Sequence, residues 1–177
     1  MPLSKFPRLS AWDLAYALNL AIASLITFYL MHFIVPPLMN RQAEAVGTLW
    51  AVISTVFVFR DTRAHSFAAG MARLIATFVS FALCFAYLLL FPANPLALLI
   101  LVAVGTLVMM LLDRRDDIGL AVITTAVVMI VAINAPQEAW EQPLLRLADT
   151  VVGVAVGMAC KWIASFLFYR LAGEEVR

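Results

Sequence analysis

Six apolar segments, each closed by prolines, a polar turn or a charged cluster, leave this chain few ways to fold. They run 11–35, 42–59, 66–91, 96–112, 118–135 and 144–169. A helix needs roughly 17–25 apolar residues to span hydrocarbon, and most of the segments reach that length. The second is the shortest in its strongly apolar part, 46–59. Pro36-Pro37 closes the first segment, and Pro92-Ala93-Asn94-Pro95 separates the third from the fourth. The cluster Asp113-Arg114-Arg115-Asp116-Asp117 is too charged to enter lipid, and 136–143, with Trp140 as an interfacial ring, precedes the sixth. The runs are continuous rather than alternating, so helices are expected and not a barrel.

Composition points the same way. Of 177 residues, 64% are hydrophobic and 13% charged, where a soluble domain carries about a quarter charged residues. Mean hydropathy is +0.98. Polar groups are too few to cover a surface facing water, so the lipid bilayer must be the partner of most of it. A net charge of +1 excludes a nucleic-acid binder that works by neutralising phosphates. The fold class expected is an all-α integral membrane protein with six transmembrane helices, one membrane domain over 1–177 and no soluble domain. The first segment follows Lys5 and Arg8, but it is too long for a signal peptide's apolar core and no A-x-A site follows it. It reads as a retained anchor.

Six spans put both termini on one side. That side holds Lys5, Arg8, Arg60, Arg63, Arg73, Arg114, Arg115, Arg170 and Arg177; the other holds Arg41 and Arg146, and Lys161 lies within segment six. Cations concentrate on the cytoplasmic face, so both termini are expected in the cytoplasm, in a bacterial inner membrane.

Polar residues inside the spans are the candidates for function. Arg73 lies about two turns into segment three, where a cation must snorkel, pair or line a wet cavity. Two readings follow: a snorkelling or Asp61-paired arginine, or a substrate-binding anion site built with Arg60 and Arg63 near His65. A guanidinium fork suits carboxylates because it makes two parallel hydrogen bonds. Lys161 is deeper, roughly 12 Å along the helix from Tyr169. It is a candidate pore-facing cation, or one buried against a carboxylate. Asp149, Gly153, Gly157 and Lys161 recur every four residues and share a face. Gly153-x-x-x-Gly157 permits close helix approach, either within the chain or in a dimer contact. His32 and Asp13 read as interfacial. The five-residue charged cluster reads as a solvated salt-bridge turn.

Catalysis finds no support: HExxH, GxSxG, Walker A and GxGxxG are all absent. Cys84 and Cys160 lie in apolar runs without a CxxC or a Cys/His cluster, so neither a metal nor a disulfide framework is expected. No cofactor is expected.

Three stretches carry a family resemblance. They are Leu49-Trp50-Ala51-Val52-Ile53-Ser54-Thr55-Val56-Phe57-Val58-Phe59-Arg60; the turn and helix 66–77 with Gly70, Arg73 and Ala76-Thr77; and Arg146-Leu147-Ala148-Asp149-Thr150-Val151-Val152-Gly153. Together they resemble the fusaric acid resistance and aromatic acid exporter superfamily, to which the membrane module of plant aluminium-activated malate transporters is similar. Two departures stand out: the family's Gly-Thr step reads Ala76-Thr77, and the large cytoplasmic domain of many members is missing. Many members hold two six-helix halves, so the resemblance implies a homodimer. It also implies a transporter or channel for small organic anions, aromatic acids among them. A competing expectation is a non-transporting membrane subunit that docks onto a partner protein. An intramembrane lipid-modifying enzyme is a third.

Overall fold

The computed structural model describes residues 10–34, 41–60 and 62–172. Pro36, Pro37 and Asp61, with the terminal cations Lys5, Arg8 and Arg177, lie outside them. The described residues form six α-helices and no strand: α1 Ala11–Ile34, α2 Arg41–Val58, α3 Arg63–Leu90, α4 Pro95–Leu111, α5 Ile118–Asn134 and α6 Glu141–Ala172. Short 3-10 turns, Arg115–Asp117 and Pro136–Glu138, precede α5 and α6. Four stretches are long and apolar enough to cross a membrane: Asp13–Phe33, Arg63–Leu90, Arg115–Asn134 and Glu141–Leu167. The other two helices, α2 and α4, have 18 and 17 residues, about 27 and 26 Å at ~1.5 Å per residue.

Caps explain where the helices begin. Thr62 accepts a hydrogen bond from the His65 amide, so α3 starts three residues before its apolar run. Asn94 caps α4 by accepting from the Ala97 amide, with Pro95 in the first turn, where no N–H is needed. Asp13 accepts from the Ser10 amide at the start of α1. Helix α6 begins at Glu141 rather than at 144, because Pro143 falls in its first turn and is tolerated there. Asp113, at φ 57°, makes the sharp turn after α4, and Arg114 pairs with Asp117 at 2.9 Å.

Successive helices run in opposite directions. Tyr16 reaches Phe59 and Thr27 meets Thr55, so α1 and α2 are antiparallel. Gly47 lies against Asp149 and Gly153 against Ala51, so α2 and α6 run parallel, side by side. Gly70 faces Val154 and Met158 while Arg63, earlier on α3, bonds Ser165 later on α6, so α3 is antiparallel to α6. Ser80 bonds Ala121 and Thr125, linking α3 to a parallel α5. The start of α1 and the end of α6 therefore share one end of the bundle.

The buried interior is divided. Cys84, Leu88, Ala97, Leu101, Val128, Met129 and Ala132 make an apolar core between α3, α4 and α5. Between α2, α3 and α6 polar groups are buried beside Ala51, Val58 and Val154: Ser54, Thr55, Arg73, Thr77, Arg146, Asp149 and Thr150. Outward faces are apolar, with Leu14, Leu18, Phe33, Leu99, Leu107, Leu111 and Ile163 all exposed. Such a surface is stable only against lipid.

Candidate functional site

The α2–α6 crossing is unusually close, and it shapes the site. A Cβ on Gly153 would sit 2.2 Å from the Ala51 carbonyl oxygen and 2.8 Å from the Ser54 Cβ. One on Gly157 would lie 3.1 Å from the Thr55 carbonyl oxygen. Both glycines meet α2 of the same chain. Thr55 locks the crossing: its hydroxyl lies 3.0 Å from the Gly153 carbonyl oxygen and 2.7 Å from the Thr27 hydroxyl of α1.

With α2 pinned in this way, Trp50 and Phe57 turn towards α3. The Arg73 guanidinium lies 4.9 Å from the Trp50 ring centroid and 5.3 Å from that of Phe57. Arg73 is 1% exposed. None of its three guanidinium nitrogens has a hydrogen-bond partner among the described residues. The Trp50 indole nitrogen and the Thr77 and Thr150 hydroxyls are likewise buried without partners. The helix register sets these groups close in depth. Gly47 faces Asp149 and Ala51 faces Gly153, which brings Thr150 level with Thr48, two residues or about 3 Å of helix axis from Trp50. Thr77 is one turn beyond Arg73 on α3.

Burying an uncompensated cation costs several kcal/mol. Contact with an aromatic face returns about 2 kcal/mol when desolvated. The ring contacts therefore leave part of that cost uncompensated among the described residues.

Arg146 and Asp149 form a second buried unit. An Arg146 Nη lies 3.1 Å from the Asp149 carboxylate, and the other Nη donates to the Val46 carbonyl oxygen at 3.1 Å. Their side chains are 2% and 8% exposed. In the sequence Arg146 reads as a far-side cation and as the first residue of the third resemblance stretch, with no partner assigned. The i, i+3 spacing to Asp149 was the signal for the pair, because it sets both on one helix face.

The remaining candidates go elsewhere. Arg63 donates to the Ser165 hydroxyl at 2.6 Å and lies over the Trp162 ring, so it turns to α6. Arg60 is exposed just past α2. The structure does not gather Arg60, Arg63 and Arg73 into one cluster. Helix α3 turns Arg73 towards α2, so it does not snorkel, and Asp61 is outside the described residues. Lys161 holds its ammonium 5.5 Å from the Phe59 ring and 5.9 Å from Tyr16, at the end where the helix termini meet. His32 contacts Glu44 at 3.2 Å at the opposite end. Among the described residues, no three His, Cys, Asp or Glu side chains are placed to hold a metal.

Residues 22–160 match the family described as fusaric acid resistance protein-like. The chain belongs to that family. The match takes in Trp50, Arg73, Thr77, Arg146, Asp149 and Thr150, so both buried polar units lie within the shared region, while Lys161 lies one residue past it. Membership places the chain among multi-pass membrane proteins of the transport and efflux type. No curated protein and no solved structure matches it significantly.

Proposed function

We propose that this protein is a six-span inner-membrane transporter or channel subunit that exports organic anions, with Arg73 as the residue that binds them. One observation carries the reading: a fully buried guanidinium, held against two aromatic rings, with no hydrogen-bond partner on any nitrogen among the described residues. A structural arginine would be paired. An unpaired one fits a ligand-binding role, in which the ligand supplies the missing partner.

The topology part rests on alternating helix directions and on the cation distribution. With Arg146 drawn into its ion pair, Arg41 is the cation left to the end away from the helix termini. Both termini are then cytoplasmic. An inside-negative potential favours exit of a monoanion by about 2.3 kcal/mol per 100 mV, so export needs only a route and a site that lowers the barrier. The homodimer rests on the family resemblance, in which one six-helix unit corresponds to half of a two-unit member. Lys161 and Arg63, near the terminal end, serve as cations at the cytoplasmic mouth.

The test is efflux of benzoate from proteoliposomes under an imposed inside-negative potential. Wild type should give potential-driven flux, and Arg73→Ala should abolish it while keeping insertion and oligomeric state. Flux of no anion by folded protein would sink the proposal and leave the docking-subunit alternative.

A further inference from the structure

The two buried arginines bracket a single turn of α2. Arg146 donates to the carbonyl of Val46, and Arg73 lies over the ring of Trp50. Val46 and Trp50 are four residues apart, about 6 Å of helix axis. Two cations so placed would make a site for a divalent anion. Asp149 prevents this. Its carboxylate lies 3.1 Å from Arg146 and is sealed by the backbone of α2, where a Cβ on Gly47 would sit 3.1 Å from the nearer oxygen. The Arg146–Asp149 pair is therefore neutral, and Arg73 leaves the buried region with one net positive charge.

Charge balance in a dry interior decides what such a region accepts. A monoanion on Arg73 brings the local charge to zero. A dianion leaves one uncompensated negative charge in the same buried interior as the Asp149 carboxylate, at a cost salt cannot screen.

We infer that Asp149, acting through Arg146, makes the Arg73 site selective for monovalent carboxylates over divalent ones. The inference rests on the anion-transport reading of Arg73. Asp149 is a specificity residue here and touches no anion itself: it cancels the second guanidinium and repels a second carboxylate.

Benzoate and phthalate share a ring and differ by one carboxylate, so they make the matched probes. Wild-type proteoliposomes at pH 7.5 should carry benzoate well ahead of phthalate. Asp149→Asn keeps size and hydrogen-bonding capacity while freeing the Arg146 charge. It should shift the benzoate-to-phthalate flux ratio towards phthalate by roughly tenfold, the factor for one unit charge at ~10 Å and an effective dielectric of ~20. The double variant Arg146→Gln/Asp149→Asn is again neutral and should return the ratio to its wild-type value. A purely structural role would lower both fluxes together and give no such return.

Should Asp149→Asn fail to accumulate, Arg146→Gln gives the reverse test. An unpaired Asp149 would oppose Arg73, so benzoate flux should fall by roughly tenfold and recover in the double variant. An unchanged ratio in Asp149→Asn, or no recovery in the double variant, overturns the inference while leaving Arg73-dependent flux intact. Flux of no anion by folded wild type, or benzoate flux that Arg73→Ala leaves unchanged, overturns the reading of Arg73 as the transport site itself.

Discussion

Replacing Gly153 by alanine should separate α2 from α6. The added Cβ would lie 2.2 Å from the Ala51 carbonyl oxygen and 2.8 Å from the Ser54 Cβ. The first contact is to backbone, so no side-chain rotation relieves it. Reaching an ordinary carbon–oxygen separation requires a displacement of about 1 Å in a packed interior. That movement also stretches the Thr55 hydroxyl bond to the Gly153 carbonyl, now 3.0 Å. Overpacking costs about 1–3 kcal/mol, and the lost hydrogen bond adds about 1 kcal/mol. The expected destabilisation is therefore ~3 kcal/mol. At ~2–4 °C per kcal/mol for a chain of this length, the Tm should fall by ~6–12 °C. Gly157→Ala is the internal control. Its Cβ would meet the Thr55 carbonyl oxygen at 3.1 Å, which a shift of a few tenths of an ångström relieves, for about 1 kcal/mol or less. Thermal unfolding of the purified protein in one detergent, with both variants side by side, makes the comparison. Equal shifts in the two variants, or an unchanged Tm in Gly153→Ala, would refute the crossing geometry.

Three further outcomes are expected. Arg73→Met should raise stability without ligand by about 1–4 kcal/mol, because an apolar side chain replaces an unpaired buried charge. The same variant should lose the Tm increase that benzoate gives wild type, an increase that reaches ~2.7 kcal/mol at a hundred times the Kd; calorimetry with and without benzoate checks both. Thr55→Val should cost about 1–3 kcal/mol, since it leaves the Gly153 carbonyl without its hydroxyl donor and cuts the tie to Thr27; the midpoint of chemical unfolding in mixed micelles reports it. A cysteine placed at Asp116 should react with an impermeant maleimide only from the cytoplasmic side, and one at Gln137 only from the opposite side; labelling of both from one side would contradict the proposed topology.

The helices themselves were legible because lipid imposes one rule on all of them. Backbone groups must be satisfied within the segment, so each long apolar run becomes a helix of nearly its own length. Boundaries slipped only where a polar residue joined the helix. Thr62 extends α3 backwards by capping it, and Glu141, Gln142 and Pro143 form the first turn of α6, although they look like loop. The location of Arg73 was legible, but its surroundings were not. Its spacing from Arg60 and Arg63 suggested a cluster, whereas neighbours on another helix decide its fate, and those depend on how closely α2 meets α6. Arg146 shows the same limit. Hydropathy counts it as a far-side cation; only the parallel register of α2 and α6 puts the Val46 carbonyl within its reach.

That register ties stability to the site. Around α2, Ala51, Ser54 and Thr55 face α6, while Trp50 and Phe57 face Arg73. The two faces belong to one 18-residue helix, which cannot move away from α6 without also shifting the rings that hold the guanidinium. A change at Gly153, which touches no part of the Arg73 site, should therefore weaken anion binding as well as fold stability. Gly157→Ala should leave binding close to that of wild type. Titrating benzoate against the Tm of each variant separates the two effects. If Gly153→Ala lowers the unliganded Tm but keeps the full benzoate-induced increase, the rings are held by α3 rather than by the α2–α6 crossing.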